Sequence, residues 1–156
     1  KLTTLHYTRR LAVNERMKLP VSAQLFLIEG DEILLLRRYN TGYEDGKYSV
    51  VAGHIDGNES VAEAMIREAK EEADITIAKE DLQTIHVMHR KKIRGEYIDY
   101  FFFCNKWTGE IKNAEPNKCD DLRWFNINNL PENMVDYIKE AIEYYKNDVK
   151  FSEFGW

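Results

Sequence analysis

The segment from Gly53 to Ile75, GHIDGNESVAEAMIREAKEEADI, constrains the fold and the chemistry of this chain most strongly. Its apolar residues recur at the spacing that places side chains on one stripe of a helix: Ala62, Met65, Ile66, Ala69 and Ala73. Ser60, followed three positions later by Glu63, forms a capping-box pattern. The segment therefore predicts an amphipathic helix that begins at Ser60.

A second face of this helix is acidic. Glu68, Glu71 and Glu72 are neighbours there, because side chains three and four positions apart lie side by side on a helix. The like charges of Glu68 and Glu72 cost roughly 0.2–0.5 kcal/mol unless water or a cation relieves them. Clustered carboxylates are the hard oxygen ligands that Mg²⁺ and Mn²⁺ prefer. The face therefore predicts a divalent metal site.

The charge distribution separates this prediction from a plain solvated acidic face. Residues 53–75 contain seven acids and two bases, whereas the remaining 133 residues contain 20 acids and 20 bases. The whole net charge of −5 is thus local to this segment. Because the rest of the chain is neutral on balance, the concentration of acids on one helix face favours a cation site over an ordinary solvated acidic surface.

The polar positions of the segment follow the spacing Gly-x5-Glu-x7-Arg-Glu-x2-Glu-Glu: Gly53, Glu59, Arg67, Glu68, Glu71 and Glu72. This pattern resembles the Nudix hydrolases, which use divalent metal to cleave nucleoside diphosphates linked to another group. The resemblance implies an α+β fold, an α/β/α sandwich with a mixed β-sheet between helices. Asp74 replaces the usual glycine and Ala69 a larger aliphatic residue. These departures concern the helix end and its packing, not the ligands.

The resemblance also implies roles for single residues. Glu68, Glu71 and Glu72 would bind Mg²⁺ or Mn²⁺, together with a backbone carbonyl of Ala52 or Gly53 and with Glu115. One carboxylate among Glu68, Glu71, Glu72 and Glu115 would take the proton of the attacking water. Glu59 and Arg67 would pair and hold the loop and the carboxylates in place. His54 would contact either a phosphate or the backbone of its own loop.

Length and composition favour one domain. At 156 residues and 44% hydrophobic, the chain suits a single core. We expect an N-terminal extension at residues 1–18, with Met17 as a candidate natural start, and a Nudix domain at residues 19–156. No apolar run reaches the length of a membrane span and no signal peptide begins the chain. The two cysteines are too few for a disulfide framework, which favours a reducing cytoplasm.

Alternation and turn residues predict the remaining elements. Gly30-Asp31 separates two apolar runs at residues 21–29 and 32–38, a hairpin pattern. Further strands are expected at residues 48–52, 82–92 and 97–107, and a last strand at 122–127. Pro131 is expected to open a C-terminal helix that extends to about Asn147. The aromatic tail FSEFGW is expected to pack on the domain or on a neighbouring chain, which leaves a homodimer open.

Two features bear on the substrate. The segment Glu115-Pro-Asn-Lys-Cys119, with Trp124 in the next strand, resembles the MutT-like Nudix proteins that hydrolyse nucleoside triphosphates. Aromatic residues expected to stack a base are Tyr39, Tyr43, Tyr48 and Trp124. We therefore expect a small nucleotide substrate, a nucleoside or deoxynucleoside triphosphate such as an oxidised purine, cut to monophosphate and pyrophosphate. We do not expect a nucleic acid polymer, because the chain is slightly acidic.

Other functions stay open at this stage. An ADP-ribose or nucleotide-sugar pyrophosphatase is the main alternative within the hydrolases. An isomerase of isoprenoid diphosphates and a non-catalytic nucleotide-binding regulatory module are alternatives from other classes. The basic cluster, residues 89–92 with Arg94, is interpreted as a solvated hairpin tip, with phosphate attraction at a site mouth as the alternative.

Overall fold

The computed structural model describes residues 16–93 and 95–156. Most of the expected N-terminal extension, residues 1–15, therefore lies outside the described residues, as does Arg94 of the basic cluster. Among the described residues, no helix is both long enough and apolar enough to cross a membrane.

The chain begins with the predicted hairpin. Strands β1 (Val21–Glu29) and β2 (Glu32–Arg38) have the predicted bounds and pair antiparallel across Gly30, whose φ is 60°. Glycine adopts this left-handed conformation without steric cost, which is why the turn closes in two residues.

The other elements follow in chain order. They are β3 (Tyr48–Ser49), β4 (Val51–His54), α1 (Val61–Ala73), a 3₁₀ turn (Lys79–Asp81), β5 (Gln83–Lys92), β6 (Gly95–Cys104), β7 (Cys119–Asn126), α2 (Asp136–Lys146) and β8 (Phe151–Phe154). The strand predicted at residues 48–52 is thus interrupted at Val50. The strand predicted at 97–107 ends at Cys104, and the C-terminal helix begins five residues after Pro131.

The described strands form one mixed sheet in the order β3-β2-β1-β6-β5-β8, with β4 also paired to β1 and β7 to β2. The pairs β1–β6 and β5–β8 are parallel, and the others are antiparallel. The expectation that residues 122–127 form the last strand is wrong. The tail instead adds β8 to the edge of β5, where its backbone groups find hydrogen-bond partners.

Two apolar clusters lie on opposite faces of this sheet. Leu25 and Leu27 of β1 belong to the cluster with Met65 and Ala69 of α1, whereas Phe26 belongs to the cluster with α2. Alternate residues of a strand point to opposite faces, so the continuous apolar run of β1 is explained by burial on both sides. The predicted sheet between helices is confirmed, and β1 lies at its centre.

Candidate active site

Helix α1, which carries the acidic face, is capped at both ends. The Ser60 hydroxyl accepts from the Glu63 amide and the Glu63 carboxylate accepts from the Ser60 amide, which confirms the capping box. At the other end Asp74 has φ 57° and ψ 25°, the left-handed cap that glycine would otherwise supply. Met65 and Ala69 are completely buried, and Ile66 is half-buried. The carboxylates are therefore held on the face that does not enter the core.

Glu72 is the most unusual of these carboxylates. Its Oε2 accepts a hydrogen bond from the Ala52 amide at 2.9 Å, and it forms no ion pair with any described residue. Burial raises the pKa of Glu72 to about 8, against the lowering effect of the Ala52 amide. A half-buried acid without a cation partner is a group that a bound cation would stabilise.

Glu68 lies against the backbone of β4. A Cβ added at Gly53 would fall 1.8 Å from Glu68 Oε1, so only glycine leaves room for this carboxylate. The side chain is 13% exposed, and burial raises the pKa of Glu68. Glycine at position 53 thus lets a carboxylate and a backbone segment approach each other closely.

Arg67 connects this cluster to the loop that follows β4. Its guanidinium binds Glu59 through two nitrogens, at 2.8 and 3.2 Å, and donates to the His54 carbonyl at 3.0 Å. It also contacts Glu68 at 2.7 Å and Glu71 at 3.2 Å. The hydrogen bonds that Arg67 donates to Glu59, first among the causes, raise the pKa of Arg67 further above its usual range. These contacts fit the positioning role predicted for Glu59 and Arg67.

A cavity of about 410 Å³ opens beside this cluster. Of the predicted site residues, it is lined by Ala52, Gly53, His54, Glu72, Glu115 and Tyr43. The structure brings Glu115 there because the Ala114 amide donates to the Glu72 carbonyl at 3.1 Å. The Glu115 carboxylate accepts from Lys118 at 2.8 Å and contributes to the raised pKa of Glu72. The cavity thus joins β4, the end of α1 and the predicted MutT-like segment.

Three of the four aromatic residues expected to stack a base do not line this cavity. Tyr48 is 2% exposed in the core, where its hydroxyl contacts Asp121 and Arg123. Trp124 packs with Trp107 at a ring distance of 6.0 Å, and Tyr39 is half exposed in its loop. Tyr48 belongs to the core cluster that packs against α2, and Trp124 packs against the cluster on the α1 side of the sheet. Their substrate-binding role therefore has no support from their position.

The preferred interpretation of the basic cluster as a solvated hairpin tip is wrong for two of its members. Arg90 is 6% exposed and binds Asp99 through two nitrogens at 2.5 and 3.0 Å. Arg90 and Lys92 both line the cavity, while Lys91, on the opposite face of β5, lies over the Trp156 ring. The period of two in a strand could have separated these residues, had the sheet's orientation been known.

Other residues of the cavity were not found from the sequence. Arg38 ends β2, Ser22 and Gln24 alternate along β1, and Tyr97 and Tyr137 come from β6 and α2. Ser22 donates to Asp99 at 2.5 Å and accepts from Gln24 at 2.9 Å. Buried polar residues in an otherwise apolar strand were the signal for Ser22 and Gln24. No local pattern marks Arg38, Tyr97 or Tyr137.

The carboxylate oxygens of the site have the chemistry that a divalent cation prefers, but they do not surround a common point in this structure. In residues 16–93 and 95–156, no three acidic, histidine or cysteine side chains converge on a common point. Arg67 holds Glu68 and Glu71, and the Ala52 amide holds Glu72. The oxygen donors are hard, and Glu72 has no cation of its own. A metal would therefore compete with Arg67 for Glu68.

Comparison with known proteins agrees with this fold and site. A family model described as NUDIX domain matches residues 18–145. An ADP-ribose pyrophosphatase from Methanocaldococcus jannaschii is 30% identical over 121 residues, which cover 77% of this chain and 70% of that protein. The NAD-capped RNA hydrolase NudC from Stutzerimonas stutzeri is 30% identical over 131 residues. This match covers 80% of the chain but only 43% of NudC, so the chain spans less than half of that relative.

A solved structure shows the same fold. The MutT NUDIX hydrolase from Burkholderia pseudomallei superimposes with a TM-score of 0.75 at 22% identity, over 81% of this chain and 98% of that chain. The chain therefore belongs to the NUDIX domain family. The predicted class, a Nudix-type pyrophosphohydrolase, is confirmed at this level.

Proposed function

We propose that this protein hydrolyses the phosphoric anhydride of a nucleoside diphosphate-linked substrate in the cavity beside α1, with Mg²⁺ or Mn²⁺ bound by Glu68, Glu71 and Glu72. The observation that supports this proposal most strongly is Glu72, a half-buried carboxylate without an ion pair among the described residues, at the edge of a cavity that holds several basic residues. A purely structural acid would be expected to have a cation partner.

The metal would neutralise phosphate charge and lower the pKa of a bound water. Around it, the chain's own groups would hold the reacting atoms in place. Glu68 and Glu72 would supply hard oxygen ligands, and the close approach of Glu68 to Gly53 would place a backbone carbonyl beside them. Arg67 would hold the loop after β4 through Glu59 and the His54 carbonyl. His54, which lines the cavity, would face the phosphates.

Two substrate classes compete within this reaction. A nucleoside triphosphate, including an oxidised purine deoxynucleotide, is supported by the position of Glu115, since the MutT-like segment contributes a carboxylate to the cavity. ADP-ribose is supported by the relative from Methanocaldococcus jannaschii, whose printed name gives that activity. The NudC relatives extend the range to the capped end of an RNA, which the slightly acidic chain does not favour.

A substrate panel distinguishes these classes. kcat/KM would be measured for nucleoside triphosphates, ADP-ribose, nucleotide sugars and NAD at one Mg²⁺ concentration, with the products identified by chromatography. We expect a nucleoside monophosphate as one product from every substrate that is cleaved. Isomerised product, or binding without any product, would contradict a hydrolase and favour the isomerase or the non-catalytic module.

A further inference from the structure

Arg38 and Lys92 both lie over the ring of the loop residue Tyr43 in the wall of the cavity. Lys92 Nζ is 3.9 Å from the centre of the Tyr43 ring, and the Arg38 guanidinium carbon is 5.2 Å from it. All three side chains line the same cavity as Glu72. Two cations thus share one aromatic ring, which leaves little of that ring for a stacked base.

Neither cation is paired with an acid in the described part of the chain. Arg38 donates to neutral oxygens, the Tyr43 carbonyl at 2.7 Å and the Thr41 hydroxyl at 3.1 Å. Asp45 is near, but its carboxylate accepts from Thr41 and Gly42. Lys92 has no ion pair in this part of the chain, and Asp99 on the neighbouring strand β6 is bound to Arg90 and Ser22.

The other charges of the cavity wall cancel in pairs. Arg90 is bound to Asp99, and Lys118 is bound to Glu115 at 2.8 Å. Among the described residues, the charged side chains of the cavity wall that stay unpaired are Glu72, Arg38 and Lys92. Two like charges held together in a partly buried wall are unfavourable unless an anion binds between them. Burial adds to this cost at Lys92, where it lowers the pKa of the ammonium group.

The position of the two cations suggests which anion they bind. Arg38 is paired with Cys119 in the sheet, at the end of the segment whose Ala114 amide binds the Glu72 carbonyl. Lys92 instead ends β5 and lies over the Tyr43 ring. A diphosphate bound at the carboxylate end would thus lie beside Arg38, and a further anionic group would reach Lys92.

We propose that Arg38, Lys92 and Tyr43 form a subsite for a phosphoryl group additional to the diphosphate that is cleaved. This inference rests on the proposed function and decides between its two substrate classes in favour of the nucleoside triphosphate. ATP and ADP-ribose share adenosine diphosphate and differ in their third group, which is a charged phosphate in one and a neutral ribose in the other. GTP and GDP-mannose form a second pair of this kind.

The test compares kcat/KM for both substrate pairs in the wild type, Lys92→Met and Lys91→Met. Lys92→Met keeps most of the side-chain volume and removes the charge. It should lower kcat/KM for the triphosphates about 10- to 100-fold, the scale of a lost hydrogen bond to a charged group, and change the diphosphate-sugar substrates much less. Lys91→Met is the matched control, since Lys91 contacts Trp156 outside the cavity, and it should leave both pairs unchanged.

Thermal unfolding of each variant establishes that it is folded, and Lys92→Gln replaces Lys92→Met if that variant does not fold. An equal loss for both members of a pair, or no loss for either, contradicts the subsite while wild-type turnover upholds the proposed hydrolysis. If the wild type cleaves neither member, the proposed function fails. The subsite is then judged by calorimetric titration of ATP and ADP-ribose, where equal affinity for the two ligands overturns it.

Discussion

Arg67 binds Glu59 through both Nε and a terminal nitrogen, so that one guanidinium spans the loop after β4 and the acidic face of α1. The geometry is the bidentate pairing that arginine forms with a carboxylate and that lysine cannot reproduce. Since the same guanidinium also reaches the His54 carbonyl, it fixes the loop and the carboxylates relative to each other. The first prediction follows from this relationship.

Arg67→Lys keeps the positive charge but loses the two-nitrogen contact with Glu59. We expect kcat/KM to fall about 10- to 100-fold, the range found when groups that orient metal ligands are changed. Steady-state kinetics at saturating Mg²⁺ measures this effect. Lys70→Met is the control, because Lys70 is on the same helix and contacts Asp74 instead. Full activity in Arg67→Lys would show that the bidentate contact does not position the site.

Gly53→Ala places a methyl group on the Glu68 carboxylate. The atom in the way is the far end of a flexible side chain, so Glu68 can move at little cost in folding free energy. We expect a thermal midpoint close to that of the wild type, together with a loss of kcat of about 10²-fold, the scale of one lost electrostatic group. Unimpaired turnover in Gly53→Ala would remove Glu68 from the reacting centre.

His86 makes the stability of the β5–β8 edge depend on pH. It is 1% exposed, and its two ring nitrogens lie 2.8 Å from the Val149 carbonyl and from the Ser152 hydroxyl. Burial lowers the pKa of His86 below its ordinary value. Protonation then favours the unfolded chain, so the stabilisation is complete above about pH 6.5 and is lost as the pH falls below it.

Urea unfolding between pH 5 and 7.5 measures this dependence. The free energy of unfolding should fall with decreasing pH by at most about 1.4 kcal/mol per unit from this single group. His86→Gln should remove that part of the slope, whereas His89→Gln should keep it, since the His89 side chain is partly exposed. An identical slope in wild type and His86→Gln would contradict the assignment.

Met65 is the more sensitive of two neighbouring apolar residues of α1. Met65 is completely buried, while Ile66 retains partial exposure. Met65→Asp should therefore unfold the domain, because it buries a charge without a partner. Ile66→Asp, which the sequence alone marks as equally damaging, should leave a folded but less stable protein. Circular dichroism and thermal melts of both variants compare them; equal destabilisation would be inconsistent with the burial difference.

The sequence predicted those parts of the fold that depend on neighbouring residues. The hairpin of β1 and β2 and the helix from Ser60 to Asp74 were found because their turn, cap and apolar patterns are local. The strand β8 was missed, since its pairing with β5 joins residues about 60 positions apart. No periodicity in a four-residue segment specifies such a distant partner.

The candidate site shows the same division. The acidic face of α1 follows from spacing within one segment. The opposite wall does not, because Arg38, Lys92 and Tyr137 come from three elements that meet only after the sheet has formed. The role predicted for Tyr48 lost its support for the same reason: aromatic character indicates burial or stacking, and the tertiary fold decides which.

The most direct measurement of the central claim is the release of nucleoside monophosphate by the wild type and by Glu72→Gln, with Mg²⁺ and with excess EDTA. The preferred substrate of the panel is used throughout. The wild type should form monophosphate only with Mg²⁺, and Glu72→Gln should lower kcat about 10²-fold or more while remaining folded. Undiminished release in EDTA, or wild-type kcat in Glu72→Gln, would contradict a metal-dependent hydrolysis centred on the Glu72 carboxylate.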